Sequence, residues 1–170
     1  LINDLLDLSR LDEDRLRPNI VEVDCNAVMR HAINRLTPAA ETKGVRLQST
    51  MPEPGPVCRT DPSRVEQILV NLLGNAIDHS PAGSTMRATV RPTPQTITFI
   101  IEDEGNGIAP ADVDRIFDVY ETKAVDERHG TGLGLPLSRR LARLLGGELK
   151  AVARPGIGGC FILELPLAET

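Results

Sequence analysis

An α+β sandwich with a largely antiparallel sheet is the fold class this sequence predicts. Three observations predict it. Apolar–polar alternation marks strands that come in pairs, at residues 85–91 and 96–103 and again at 148–153 and 160–165. Segments of helical periodicity, at 62–79 and 135–145, precede and separate those pairs. The chain has 170 residues, 41% hydrophobic and 25% charged, which is enough for one domain with its own core and at most a small appendage.

The elements follow in order. Residues 1–16 repeat Leu1, Leu5, Leu8 and Leu11 at helical spacing, with Ile2 and Leu6 widening the stripe, and Pro18 ends that helix. One such stripe needs a cover: the rest of the chain, a second copy, or another helix. A second helix starts near Asn26, read as its cap, and runs to about Thr42; Pro38 kinks or shortens it and Gly44 stops it. VRLQST at 45–50 alternates like a half-buried strand, MPEPGP at 51–56 is a loop, and VCRT at 57–60 is a short strand. Asp61 followed by Pro62 is a helix start, an acceptor at the cap and then proline in the first turn. That helix runs to about His79 before Pro81 and Gly83 break it, and PTPQ then joins the hairpin of 85–91 and 96–103. EGNGIAP at 104–110 is a glycine loop, a short helix covers 111–117, and residues 118–133 carry no period. The helix at 135–145 stops at Gly146-Gly147, and PGIGG separates the last two strands.

Composition excludes several functions. Nineteen basic against 24 acidic residues give a net charge of −5, and the aromatics are three Phe, one Tyr and no Trp. Neither a duplex-binding module nor a base-stacking platform has that balance, so nucleic acid is not an expected partner. No apolar run approaches a membrane span, and the acidic first 16 residues are unlike a targeting segment, so the expected location is cytoplasmic, with no membrane contact by this stretch. Cys25, Cys58 and Cys160 are widely spaced and form no CxxC, which reads as reduced, structural thiols rather than redox-active ones.

Three segments carry candidate chemistry. On helix 62–79, Gln67, Asn71, Asn75 and Asp78 fall within an arc of about 80°, while Val65, Ile68, Leu69, Leu72, Leu73, Ala76 and Ile77 fill the rest. Asparagine is a mediocre helix former, and its amide offers an oxygen to a hard cation and N–H groups to phosphate. Taken alone, the stripe also reads as the ordinary solvated side of an amphipathic helix. Asp103 ends an apolar strand just before Gly105 and Gly107. A carboxylate there accepts a hydrogen bond from the exocyclic amine of adenine, and faces an acceptor if guanine is offered. Taken alone, it is also a strand-end turn. GTGLGLP at 130–136 leads into a helix, so its free N–H groups and the helix dipole suit phosphate, although it is neither a P-loop nor a Rossmann turn and alone also reads as a flexible linker.

The conjunction is more specific than its parts. RVEQILVNLLGNAIDHSP resembles the N box of the ATP-binding domain of sensor histidine kinases. DEGNGI resembles their first glycine box, IFDVY the F box, GTGLGL the second glycine box, and GGCFILELP the closing strand. The wider group includes DNA gyrase, MutL and the ninety-kilodalton heat-shock chaperone. The resemblance covers essentially residues 20–167 and implies a two-layer Bergerat-type sandwich, with a mixed, mostly antiparallel sheet and helices on one face.

It also implies a function: binding of Mg-ATP and donation of the γ-phosphate to a histidine, for relay to a response-regulator aspartate. Residues 1–17 resemble the end of the second helix of a dimerisation and phosphotransfer domain. Residues 18–170 are then the catalytic domain, with an ATP lid at about 118–133. The implied partners are that phosphotransfer domain, a response regulator, and a second copy in the full-length protein. By resemblance Asn71 ligates Mg²⁺, Asn75 contacts phosphate, and Asp103 holds the adenine amine, with Gly105, Gly107 and Ile108 shaping the base pocket. Phe117 and Tyr120 anchor the lid. Lys123 and Arg128 are lid cations facing phosphate or solvent, and Gly130, Thr131, Gly132, Leu133, Gly134 and Leu135 close over the phosphates.

Some positions depart from the family pattern. Asp78 stands where a basic residue usually meets phosphate, and His79 where an aromatic often packs near the base. Gln67 stands where hydrolytic relatives carry a water-activating Glu; Gln is no base, and Glu66 is one residue off the stripe, which favours a kinase over a free ATPase. None of His31, His79 and His129 is followed by an acidic residue, as the family's phosphoacceptor is. Two other readings share the fold: a nucleotide-gated pseudokinase, for which Asp78 is the best support, and an anti-sigma-type Ser/Thr kinase, against which residues 1–17 argue.

Overall fold

The computed structural model describes Leu6, Ser9 and residues 17–118 and 134–167. Leu6 and Ser9 are helical and exposed; the remainder of the helix expected over 1–16 lies outside the described residues. A two-stranded sheet pairs β1 (Val21–Asp24) antiparallel with β3 (Val57–Thr60). A five-stranded sheet has the order β2 (Arg46–Thr50), β4 (Thr85–Pro92), β5 (Thr96–Glu102), β7 (Cys160–Pro166), β6 (Glu148–Ala151). Its β4–β5, β5–β7 and β6–β7 pairs are antiparallel, and only β2–β4 is parallel. A parallel pair needs a long crossover, and β3 plus the helix after it supply that connection.

Three helices, α1 (Cys25–Lys43), α2 (Pro62–His79) and α3 (Gly134–Leu144), pack on one face of this sheet, as the predicted sandwich requires. Period-two alternation divides the faces. Met86, Ala88, Val90, Ile97, Phe99 and Ile101 turn inward, while Arg87, Thr89 and Thr98 turn outward. α2 is the spine of the layer. Ile68, Leu69, Leu72 and Leu73 are 0% exposed, and each such side chain contributes roughly 1.5–3 kcal/mol by burial.

Helix ends explain where the sequence reading was off. α1 begins at Cys25, and its cap is Asp24, whose Oδ1 accepts from the N–H groups of Asn26 at 2.9 Å and Ala27 at 3.4 Å. Asn26, expected as the cap, is instead buried in the first turn and donates Nδ2–H to the Pro52 carbonyl at 2.6 Å. Pro38 does not shorten α1, which continues to Lys43 and ends on left-handed Gly44. Asp61 caps α2 as expected, accepting from Ser63 at 3.0 Å and Arg64 at 3.3 Å. Lys43 Nζ then reaches across to donate to the carbonyls of Ile77 at 2.8 Å and Asp78 at 2.6 Å, satisfying the C-terminal end of α2. The helix expected at 111–117 is two 3₁₀ turns, Pro110–Asp112 and Arg115–Phe117.

The cysteines meet in a way their spacing hides. Cys25 and Cys58 are both buried, with their sulfurs 3.4 Å apart; Cys160 is buried separately at the start of β7. Among the described residues, no helix is long and apolar enough to cross a membrane.

Candidate functional site

Among the described residues, four of the candidates lie on the C-terminal half of α2. Asn71, Asn75 and Asp78 are half-buried on its surface, and His79 is exposed at its end. Two neighbours meet this helix at points two turns apart. The start of α3 approaches at Asn71, whose Nδ2–H donates to Ser138 Oγ at 3.0 Å and to the Gly134 carbonyl at 3.4 Å. The loop after β5 approaches at His79, where a Cβ on Gly105 would collide with the His79 carbonyl oxygen. Eight residues of α2 separate the two contacts, about 12 Å of helix. Gly134 and Gly105 therefore flank the stretch of α2 that carries Asn71, Asn75, Asp78 and His79, while Leu135, next to Gly134, packs on the core.

Asp103 is the buried charge beside that stretch, 4% exposed at the end of β5. Its Oδ1 accepts from the N–H groups of Gly105 at 2.8 Å and Gly159 at 2.9 Å, and its own N–H donates to the Gly159 carbonyl at 3.0 Å. Both side-chain bonds fall on Oδ1, so the orientation is fixed and Oδ2 retains its acceptor capacity. The loop before β7 presses on the same place. A Cβ on Gly159 would lie 2.6 Å from Asp103 Oδ2, so only glycine admits the carboxylate here. Gly107 has φ +79°, and a Cβ there would strike the Arg154 carbonyl. Arg154 in turn pairs with Glu102 at 2.8 Å, and Gly156 N–H donates to the Asn106 carbonyl at 2.8 Å. Ile108 is half-buried and packs on the core.

The α3 end is held differently. Phe117, 7% exposed, meets Phe161 edge to face at 6.3 Å, and the Arg139 guanidinium lies 4.3 Å over its ring. Arg139 and Arg143 both converge on Glu148. Burial raises the Glu148 carboxyl, but the Leu149 N–H and the two guanidinium groups together hold it below its ordinary value. Gln67 accepts from Arg64 at 2.9 Å, while Glu66, off the stripe as the helical wheel has it, pairs with Arg35 of α1 at 3.8 Å.

Tyr120, Lys123, Arg128, Gly130, Thr131, Gly132 and Leu133 lie outside the described residues. The sequence reading missed Ser138 and the pair Gly158 and Gly159. Ser138 looked like one polar residue in an amphipathic helix, yet it is 0% exposed. A glycine pair before a strand is a signal for close backbone approach, but not for what approaches. A cleft of about 280 Å³ opens at the other end of α2, between Glu22, Asp24, His31, Ser63 and Glu66, and holds none of the expected site residues. Among the described residues, no three His, Cys, Asp or Glu side chains are grouped to hold a metal. Asn71 suits a cation that is otherwise held by phosphate: both hydrogen bonds it makes among the described residues use Nδ2, so Oδ1 is left for a hard cation.

Comparison with known proteins identifies the family. Residues 60–169 match the family model described as histidine kinase-, DNA gyrase B- and HSP90-like ATPase. The sensor histidine kinase MtrB of Mycolicibacterium paratuberculosis is 35% identical over 99% of this chain and 30% of its own length. The histidine protein kinase DivJ of Caulobacter vibrioides is 32% identical over 98% of this chain and 28% of its own. The chain thus spans about 30% of the length of such curated relatives. Among solved structures, full-length ShkA in complex with AMPPNP superposes with a TM-score of 0.89 at 29% identity, over 99% of this chain and 35% of that one. The matched span exceeds half of the chain, its relatives are sensor histidine kinases, and the chain belongs to the histidine kinase-, DNA gyrase B- and HSP90-like ATPase family.

Proposed function

We propose that this chain binds Mg-ATP as the catalytic domain of a sensor histidine kinase and presents the γ-phosphate to a histidine outside these residues. The phosphoryl group then passes to an aspartate of a response regulator. In this reading residues 18–170 are the catalytic domain, with a lid at about 118–133. Residues 1–17 end the second helix of the phosphotransfer domain, the full-length protein is a homodimer, and this part of it is cytoplasmic.

The observation that carries the reading is the buried, immobilised Asp103. Two backbone N–H groups fix Oδ1, and Oδ2 remains to accept the adenine 6-amine. Guanine offers a carbonyl at that point and meets a carboxylate, so ATP is selected over GTP. Gly105, Gly107 and Ile108 shape the base pocket, beside His79. From there the nucleotide runs along α2 toward α3. Asn75 contacts phosphate, and the N–H groups of Gly134 and Leu135, at the positive end of an 11-residue helix, face the phosphate tail.

Asn71 Oδ1 holds Mg²⁺, while Ser138 fixes the amide so that its oxygen faces the nucleotide. When bound, the ion neutralises charge on the β- and γ-phosphates. Gln67 cannot take a proton from water, so the site positions ATP for attack by an imidazole rather than hydrolysing it. Tyr120, Lys123, Arg128 and residues 130–133 complete the phosphate contacts in this reading.

Calorimetric titration of Mg-ATP and Mg-GTP tests it, with Asp103→Asn and Asn71→Ala as variants and circular dichroism to establish folding. Saturable ATP binding, silence with GTP, and loss in both folded variants are expected. Undiminished ATP affinity in folded Asp103→Asn overturns the assignment.

A further inference from the structure

Outside the nucleotide site, two nucleophiles face each other with no role in binding. Cys25 opens α1 and Cys58 lies in β3. In the β1–β3 ladder Cys58 stands opposite Val23, and Cys25, two residues further on, donates its N–H to the Pro56 carbonyl at 2.9 Å. The two cysteines are therefore diagonal neighbours on the buried face, a relation that brings side chains within reach. Their sulfurs lie 3.4 Å apart, with exposures of 1% and 0%.

We propose that Cys25 and Cys58 are a disulfide-forming pair, which a hydroperoxide closes into an intramolecular bond joining the start of α1 to β3. This departs from the structural-thiol reading that their sequence spacing gives.

The chemistry is asymmetric. Either sulfur can donate across the 3.4 Å contact; with Cys58 ionised the Cys25 thiol is the donor, which lowers the Cys58 pKa, and that bond, burial and the nearby Asp24 raise that of Cys25. The Cys58 thiolate attacks the peroxide: an S–O bond forms, the O–O bond breaks, and hydroxide leaves, giving a sulfenic acid. Cys25 sulfur then attacks the Cys58 sulfur. The S–S bond forms, the S–O bond breaks, and the departing hydroxide takes the Cys25 proton as water. Overall, two thiols and one hydrogen peroxide give one disulfide and two waters. Access comes from opening of β1–β3, a two-stranded sheet with little independent stability.

The test treats the folded chain with hydrogen peroxide, quenches it, blocks remaining thiols under denaturing conditions and maps the peptides by mass spectrometry. The expected product is about 2 Da lighter before blocking, with Cys25 linked to Cys58, Cys160 blocked as a free thiol, and reversal by dithiothreitol. The cross-linked residues are 33 apart in sequence, so the thermal midpoint of the oxidised chain should rise by about 10 °C. A Cys160→Ser variant should behave identically. Three blockable thiols after treatment, sulfinic acid at Cys58 beside a free Cys25, or links that involve Cys160 or a second chain each overturn the proposal.

Discussion

Replacing Gly159 by alanine should disable the nucleotide pocket without breaking the fold. The new Cβ would stand 2.6 Å from Asp103 Oδ2 and 3.2 Å from its Cγ, well inside ordinary contact. Gly159 has no positive φ, so alanine suits the backbone there and the collision is the whole perturbation. To escape it, the carboxylate must turn and give up one of the two N–H bonds on Oδ1. Each is a hydrogen bond to a buried charge, worth about 1.5–3 kcal/mol, so the loss is about 2 kcal/mol. In the proposed site the same displacement moves Oδ2 away from the adenine amine it is proposed to hold, and about 2 kcal/mol corresponds to a roughly 30-fold weaker Kd. Urea unfolding measures the first effect and titration calorimetry with Mg-ATP the second. Gly156→Ala, at φ +78° with open space around it, strains the same loop by about 1 kcal/mol but leaves Asp103 untouched, and should bind ATP normally. Wild-type ATP affinity in Gly159→Ala, or equal losses in both variants, would refute the reasoning.

Other perturbations act at separate points. Lys43→Met removes two charge-assisted bonds to the Ile77 and Asp78 carbonyls and should lower the thermal midpoint by about 5 °C, read by calorimetric scanning. Ser138→Ala leaves the Asn71 amide only its 3.4 Å contact with the Gly134 carbonyl; about 1 kcal/mol of stability should go, and Mg-ATP affinity should fall with it. Glu148 has its carboxyl held low in the folded state, so its stabilising contribution is present above the usual carboxylate pKa and is lost as pH falls through the depressed value. Wild type should therefore exceed Glu148→Gln in urea midpoint at about pH 7, with the gap shrinking steadily through the acid range below about pH 4.5.

Strong local signals made most of this fold legible from sequence. Asp61-Pro62 set the start of α2 because the cap and the fixed proline φ act within one turn. The β4–β5 hairpin followed from alternation over seven or more residues on each side. β1 did not, since its partner β3 is separated from it by α1 and β2 and no local turn joins the two. Asn26 misled because Asp24 and Asn26 are both capping residues, and only tertiary contact with Pro52 separates them. The site divides the same way. Asn71, Asn75 and Asp78 share a helix face that spacing alone reveals. That Asn71 meets Ser138, or that Gly159 touches Asp103, depends on which strands neighbour each other in the sheet, and no local pattern encodes it.

The bond between Gly159 and Asp103 spans 56 residues, and it joins the residue after β5 to the residue before β7. Asp103 therefore leaves a ribosome long before the group that aims it. Until β7 docks, the carboxylate is a solvated, freely rotating side chain with no preference for a purine. In the proposed site, nucleotide recognition therefore comes late: a chain that has collapsed around α2 but not inserted β7 should be blind to ATP. ATP in a refolding buffer should then slow unfolding of the finished domain while leaving the early collapse unchanged.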